Sequence, residues 1–468
     1  MPKLFRAGLA LALAAPLGAL ADTASDITTL RREIETIRTD YEARLRALEQ
    51  RLNAAERSSA APTQASPVGA AAAAAAVSTP GAAPAAAPVA PAAGATTFNP
   101  AISLILSGLY ARTSQDPSRY AISGFALPAG AEVGPGTRGF SLSESELGFA
   151  ASIDPWLRGV ANIALHGDDS VSVEEAYIHT TSLGNGLSLK AGRFFSGLGY
   201  LNSKHAHTWD FVDNPLAYQA MLGTQYGDDG VQLTWLAPID QFVEFGLELG
   251  RGRSFPGGDN SRNGAGMTAL TAHTGGDIGS SHNWRAGLSV LSAKASDQLL
   301  DAFDAGGSTV SNAFSGSTRV WVADAVWKWA PNGNATRTSF TLQGELLRSK
   351  RSGHLVYDVA NINAAGTYRA LQSGWYLQGV YQFLPGWRLG LRTERLDPGM
   401  PDYGANAGLL KVSDYRPRKN TLMLDFNASE FSRIRLQLAQ DRSREGFLDR
   451  QLFVQYQASL GAHGAHGY

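Results

Sequence analysis

Two histidines two residues apart, His205 and His207, are followed at short intervals by Asp210 and Asp213. Imidazole and carboxylate suit zinc and other divalent first-row metals, and alternate residues of an extended segment point the same way. Two histidines are half a metal site, and a histidine in a polar loop more commonly serves as a hydrogen-bonding group. A second constellation is electrostatic. Asp210, Asp213, Asp228 and Asp229 fall in one aperiodic stretch, residues 196–229, and Arg388, Arg392, Arg433 and Arg435 recur at even spacings in two strand-like segments. Even spacing places each arginine pair on one face of its strand. An acidic loop opposite such a wall would set a transverse field that orders charged or dipolar solutes. The plain alternative is that each charge solvates a wide lumen. A third candidate is the tail, where His463 and His466 stand three apart among glycines before Tyr468. It could take a metal, or serve the assembly machinery as a terminal signal.

Other chemistry is missing from the sequence. There is no nucleophile elbow, phosphate-binding loop, calcium loop or zinc-protease helix, and the reading is not an enzyme. The 468 residues include no cysteine, which excludes disulfides, thiolate metal sites and an acylated-cysteine anchor. A net charge of −1 gives no case for a nucleic-acid partner.

The elements that would position these groups follow from the pattern. Residues 1–21 read as a signal peptide: Lys3 and Arg6, an apolar stretch from Leu9 to Leu17, and Ala19-Leu20-Ala21 before the cleavage point. Residues 22–57 read as a periplasmic coiled coil with seam positions Ile27, Leu30, Ile34, Ile37 and Tyr41. A stutter follows, then Leu45, Leu48, Leu52 and Ala55. Isoleucine at both kinds of seam position favours trimers or higher states. Residues 58–97 are an Ala/Pro-rich linker, able to span roughly 35 Å as a coil or ~120 Å in a polyproline conformation.

From residue 98 to the C-terminus sixteen strand-like segments follow one another, with connections alternately short and long. An even strand number with short turns at one end and long loops at the other describes a transmembrane β-barrel. Leu422, Leu424 and Phe426 share one parity and Thr421, Asp425 and Asn427 the other; Ile434, Leu436 and Leu438 oppose Arg433, Arg435 and Gln437. Alternation of this kind also fits a soluble barrel. Tryptophans 156, 235, 284, 327, 329 and 387 beside the short turns favour a membrane girdle, and charges in mid-strand (Glu144, Glu146, Glu174, Lys190, Glu345) require a wet interior. The aperiodic stretch then becomes the third long loop, folded into the pore.

The run VEEAYIHTTSLGNGLSLKAGRFFSGLG at 173–199 resembles the strand–turn–strand of the phosphate-selective porin O/P family. FNPAISLILSG, GFSLSESELGFAASIDPWLRG, KHAHTWDFVDNPLAYQ, GDDGVQLTWLAP, ELGRGRSFPG and the C-terminal GAHGAHGY are together similar to a proteobacterial outer-membrane group. Members of that group are commonly called zinc-regulated or TonB-dependent outer-membrane receptors. The resemblance implies an outer-membrane channel tied to zinc. A TonB-dependent receptor needs a plug and a 22-stranded barrel, and the residues from Phe98 onward suffice only for sixteen strands.

The expectation is therefore an all-β, 16-stranded antiparallel transmembrane barrel, residues 98–468, with an N-terminal helical coiled coil in the periplasm. It would be a homotrimeric outer-membrane porin for passive diffusion of small hydrophilic solutes or ions. Membrane lipid, the barrel assembly machinery and peptidoglycan are its expected partners, and transient Zn2+ its expected metal. The alternatives are a structural tether to the cell wall, favoured if loop three fills the lumen, and a metal receptor without a recognisable plug.

Overall fold

The computed structural model describes residues 100–461, apart from Glu132 and residues 259–262. The signal peptide, coiled coil, linker and tail histidines His463 and His466 lie outside the described residues.

Each alternating segment becomes a wall strand: β1 (Ala101–Thr113), β2 (Gly139–Leu142 and Ser145–Ser152, kinked at Ser143 and Glu144), β3 (Leu157–Leu165), β4 (Val171–Thr180), β5 (Leu187–Phe195), β6 (Gly227–Leu236), β7 (Phe242–Gly250) and β8 (Met267–Ile278). The second half comprises β9 (His282–Phe303), β10 (Thr309–Trp329), β11 (Ser339–Tyr357), β12 (Ala364–Leu384), β13 (Trp387–Asp397), β14 (Arg418–Ser429), β15 (Ser432–Arg442) and β16 (Asp449–Gly461). Neighbours pair antiparallel, and β1 closes on β16 from Ser103↔Gly461 to Thr113↔Gln451. Closure leaves no sheet edge, so backbone groups are met within the wall, as a membrane-spanning sheet requires. No helix among the described residues is long and apolar enough to cross a membrane.

The wall is inside out relative to a soluble barrel. On β13 Leu391 is 60% exposed outward while its neighbour Arg392 is 1% exposed in the interior. Leu422, Ile434, Leu436 and Leu438 are likewise exposed, and Asp425, Arg435 and Gln437 buried. Apolar-out, polar-in alternation settles what sequence parity left open. Trp156, Trp235 and Trp387 stand exposed near the short turns, where a girdle belongs.

Short connections close by local chemistry. Asp154 Oδ1 accepts from the amides of Trp156 (2.7 Å) and Leu157 (2.8 Å). Gly386 turns with φ 75°, and a Cβ there would lie 2.5 Å from the Asn427 carbonyl oxygen. At the other end β9 to β12 run 22, 21, 19 and 21 residues, well past the segments that alternation marked. Their distal halves extend as paired hairpins whose apolar residues, Leu300, Phe314, Leu355, Tyr357 and Tyr368, face inward into a cluster of their own.

The interior is not uniformly wet. Ala269, Leu291, Val320, Val322, Leu347 and Leu396 point inward from β8 to β13 and share one apolar cluster with Ile122, Phe125 and Leu127 of the first long loop. The third long loop, residues 196–226, completes that cluster.

Candidate functional site

Loop three leaves β5 and folds into the barrel because wall side chains capture its own backbone amides. Glu248 of β7 accepts from the Ser196 hydroxyl (2.5 Å) and the Gly197 amide (2.8 Å). Glu345 of β11 accepts from the amides of Tyr200 (3.3 Å) and Leu201 (3.0 Å) and from the hydroxyls of Tyr218 (2.8 Å) and Tyr376 (2.6 Å). Glu394 of β13 accepts from the Leu216 amide (2.5 Å), and Gln437 of β15 from the Val212 amide (2.8 Å). Buried hydrogen bonds of this kind contribute about 0.5–1.5 kcal/mol each. Gly199 permits the Glu345 contact: its φ is 61°, and a Cβ would lie 2.2 Å from Glu345 Oε2.

The loop also holds a helix that its sequence did not announce. Helix α1 (Leu216–Leu222) has all seven residues buried and ends at Gly223 in the left-handed region, φ 65°. Seven residues are too few to stand alone. Its stability comes from the Glu394 carboxylate at its first amide and from the apolar patch of the inner wall.

The expected acid–arginine opposition exists for two of the four aspartates, as closed ion pairs. Asp210 meets Arg388 at 2.9 Å. Asp213 meets Arg392 at 2.8 Å and Lys419 at 2.5 Å, and Gln437 donates to it at 2.9 Å. Burial, the largest influence on Asp213, disfavours its charge, but Lys419 and then Arg392 outweigh it and hold the carboxyl well below the usual range. Arg435 pairs with Asp425 (2.7 Å) and donates to the Trp209 carbonyl (2.9 Å); Arg433 donates to the His207 carbonyl (3.0 Å) and to Gln457 (2.6 Å). All four arginines thus bind the loop, three of them directly to its backbone.

Asp228 and Asp229 are corrections. Pairing of Arg193↔Asp229 and Phe194↔Asp228 carries β6 back to Gly227, so neither belongs to loop three. Asp228 is buried and accepts from the Gly252 (2.6 Å) and Arg253 (3.1 Å) amides of the next loop. Asp229 shares parity with the outward Val231 and pairs with Arg193 at 2.7 Å.

His205 and His207 lie together against β2 and β4. His205 Nδ1 is 3.1 Å from Glu146 Oε2 and 3.3 Å from Glu174 Oε2; its Nε2 is 2.9 Å from Glu175 Oε2. His207 Nδ1 is 3.1 Å from the same Glu146 oxygen, and the two rings stack at 5.7 Å. Burial, the largest influence, opposes charge on His205. Hydrogen bonds to Glu146, Glu174 and Glu175 outweigh it and hold the ring well above its ordinary value.

Consecutive glutamates on a strand should face opposite ways. Here β3 and β4 pair as Asn162↔Glu175 and then Ile163↔Val173, so Glu174 is the extra residue of a β-bulge. The bulge turns both carboxylates toward His205. Donor atoms of Glu146, Glu174 and His205 all fall within 4.8 Å of one another, a group able to hold a metal ion. The sequence held the signal as two adjacent acids in an alternating strand, which marks either a bulge or a buried charge facing the wrong way. Beneath the loop, at the short-turn end, His207, Arg433, Asn427 and Gln457 line a cavity of ≈ 310 Å³.

No family model matches the chain. An uncharacterized protein of Aquifex aeolicus (strain VF5) is 29% identical over 357 residues, covering 71% of this chain and 70% of that one. Among solved structures, the in-vitro folded outer membrane protein OmpT of Vibrio cholerae is 10% identical, with a TM-score of 0.47 over 79% of this chain and 99% of its own. The anion-selective porin from Comamonas acidovorans is 12% identical, with a TM-score of 0.46 over 77% and 99%. OprB of Pseudomonas putida is 14% identical, with a TM-score of 0.45 over 77% and 94%. At those scores the likeness adds nothing to what the closed, inverted wall already shows. The porin O/P likeness and the receptor names are not established by these matches.

Proposed function

We propose that the protein is an outer-membrane channel for small hydrophilic solutes or ions, with loop three as its constriction. One observation carries the reading. Inside an apolar-faced barrel, a single loop is pinned across the interior between a histidine–glutamate pole on β2 and β4 and an arginine–lysine pole on β13 to β15. Fixed charges of both signs across a narrow path select solutes by charge and dipole. Short turns face the periplasm in this arrangement, and the isoleucine-rich seam near the N-terminus supports a trimer. Vesicle swelling tests it: refolded protein should admit small sugars and salts, and inserted protein that admits neither contradicts it.

The finer part of the proposal is a divalent cation, cargo or regulator, at His205, His207, Glu146 and Glu174. Nitrogen and oxygen donors fit zinc and its neighbours. A bound cation would replace the proton of His205 as the charge that holds three carboxylates together.

A tether reading has its own support. The apolar cluster of loops one and three against β8 to β13 seals that side of the interior. If the seal is complete, inserted protein passes nothing and the barrel is an anchor for the N-terminal segment.

A further inference from the structure

The outward face carries a second charge pattern. Arg319 on β10, Arg348 and Lys350 on β11, Arg395 on β13, Arg418 on β14 and Arg442 on β15 are exposed on the lipid-facing parity. Each lies eight to eleven residues from the short-turn end of its strand. With a rise of about 3.3 Å per residue and a tilt near ~40°, that is roughly 20–28 Å above the turns, where an apolar band of about 25 Å ends. Below them the same faces carry Trp321, Leu346, Leu391, Leu422 and Leu438.

Register brings these cations side by side. Arg319 stands opposite Lys350, Arg395 opposite Arg418, and Arg418 opposite Arg442. Like charges directly opposite across a ladder destabilise it. Among the described residues no ion pair involves any of the six, and the nearby Asp397 is taken by Arg416 at 3.1 Å. Cations that merely reached for water would need no such register; a row of three across adjacent strands fits a row of anions. Beside the β11 cations the wall is concave. A trough of ≈ 1140 Å³, lined by Leu270, Leu288, Trp321, Leu346 and Leu371, runs to Arg348 and Lys350.

We propose that this belt binds the phosphate groups of an anionic lipid in the leaflet at the long-loop end, with acyl chains against the trough. The inference rests on the membrane-spanning reading. Charge supplies the selectivity and the apolar wall the retention, so neither half alone holds the lipid.

Refolding the full chain into vesicles of phosphatidylcholine, with or without a portion of phosphatidic acid, tests it through the thermal midpoint of gel-mobility unfolding. Phosphatidic acid should raise the midpoint by about 3 °C or more in the parent. In Arg395→Gln/Arg418→Gln/Arg442→Gln most of that rise should vanish. If the triple variant does not insert, Arg319→Gln/Lys350→Gln gives the same readout. Inorganic phosphate at matched concentration should leave the midpoint where it was. No rise in the parent, an equal rise in the variants, or an equal rise with inorganic phosphate overturns the proposal. Parent protein that enters neither vesicle would remove the membrane reading itself, and this inference with it.

Discussion

The amide of Leu201 in loop three and the carboxylate of Glu345 on β11, 144 residues apart in sequence, are joined by a hydrogen bond of 3.0 Å. That bond, with its counterparts at Glu248, Glu394 and Gln437, makes the loop part of the wall. Four strands thus hold the loop in place inside the barrel.

Gly199→Ala should loosen this hold. The added Cβ would meet Glu345 Oε2 at 2.2 Å in a backbone region that alanine rarely adopts. Losing one or two buried hydrogen bonds of this kind costs about 0.5–1.5 kcal/mol each. Limited proteolysis should cut the variant within residues 196–226 at least several-fold faster than the parent, with barrel insertion unchanged. Equal protection would mean the Glu345 contact does not hold the loop.

Asp213→Ala should be harsher than Arg388→Gln. It leaves Arg392 with Glu394 alone (2.8 Å) and Lys419 with the more distant Asp441 (3.6 Å), a loss below the about 3–5 kcal/mol of a buried charge left with no partner. Arg388 is only partly buried, and Asp425 keeps Arg435 when Arg388 is lost. Thermal midpoints of the two variants in one lipid decide the order.

Acid should leave the loop seated for longer than a free carboxylate would allow. Asp213 is held well below its ordinary range, so its contribution is fully present above the unfolded value near ~3.9 and is lost only as pH falls through the depressed one. Protease protection of loop three should be the same at neutral pH and at pH near ~4. Release of the loop within that window would show that the Asp213 ion pairs do not hold it.

The strands were legible because period-two alternation and short turns are local signals. β14 and β15 follow their sequence parity residue by residue, and the third-loop position of residues 196–226 followed from counting strands. Asp210 and Asp213 were legible as loop charges opposite arginines. Glu146, Glu174, Glu248, Glu345 and Glu394 were not legible as partners of the loop: each belongs to a strand placed beside it only by barrel closure. The apolar inner patch was hidden too, because Val320 and Val322 alternate with outward Trp321 and read as one continuous apolar run. Asp228 and Asp229 open a strand whose start near 227 is legible in the sequence; what was not legible is that Asp228 turns to the amides of the next loop.

Zinc should act through the histidine–glutamate cluster if the cation proposal holds. Micromolar zinc should reduce solute flux in the parent, and Glu146→Gln and His205→Ala should each abolish that fractional reduction when it is measured against the variant's own zinc-free flux. If zinc acts equally on all three, the cluster is only an imidazolium held by carboxylates.

Planar-bilayer recording of the refolded full chain bears most directly on whether this barrel conducts. Inserted protein should give discrete conductance steps, grouped in threes, that grow when loop three is loosened by Gly199→Ala. A barrel that inserts with heat-modifiable mobility and passes no current, in the parent and the variant alike, would contradict the channel and leave the tether standing.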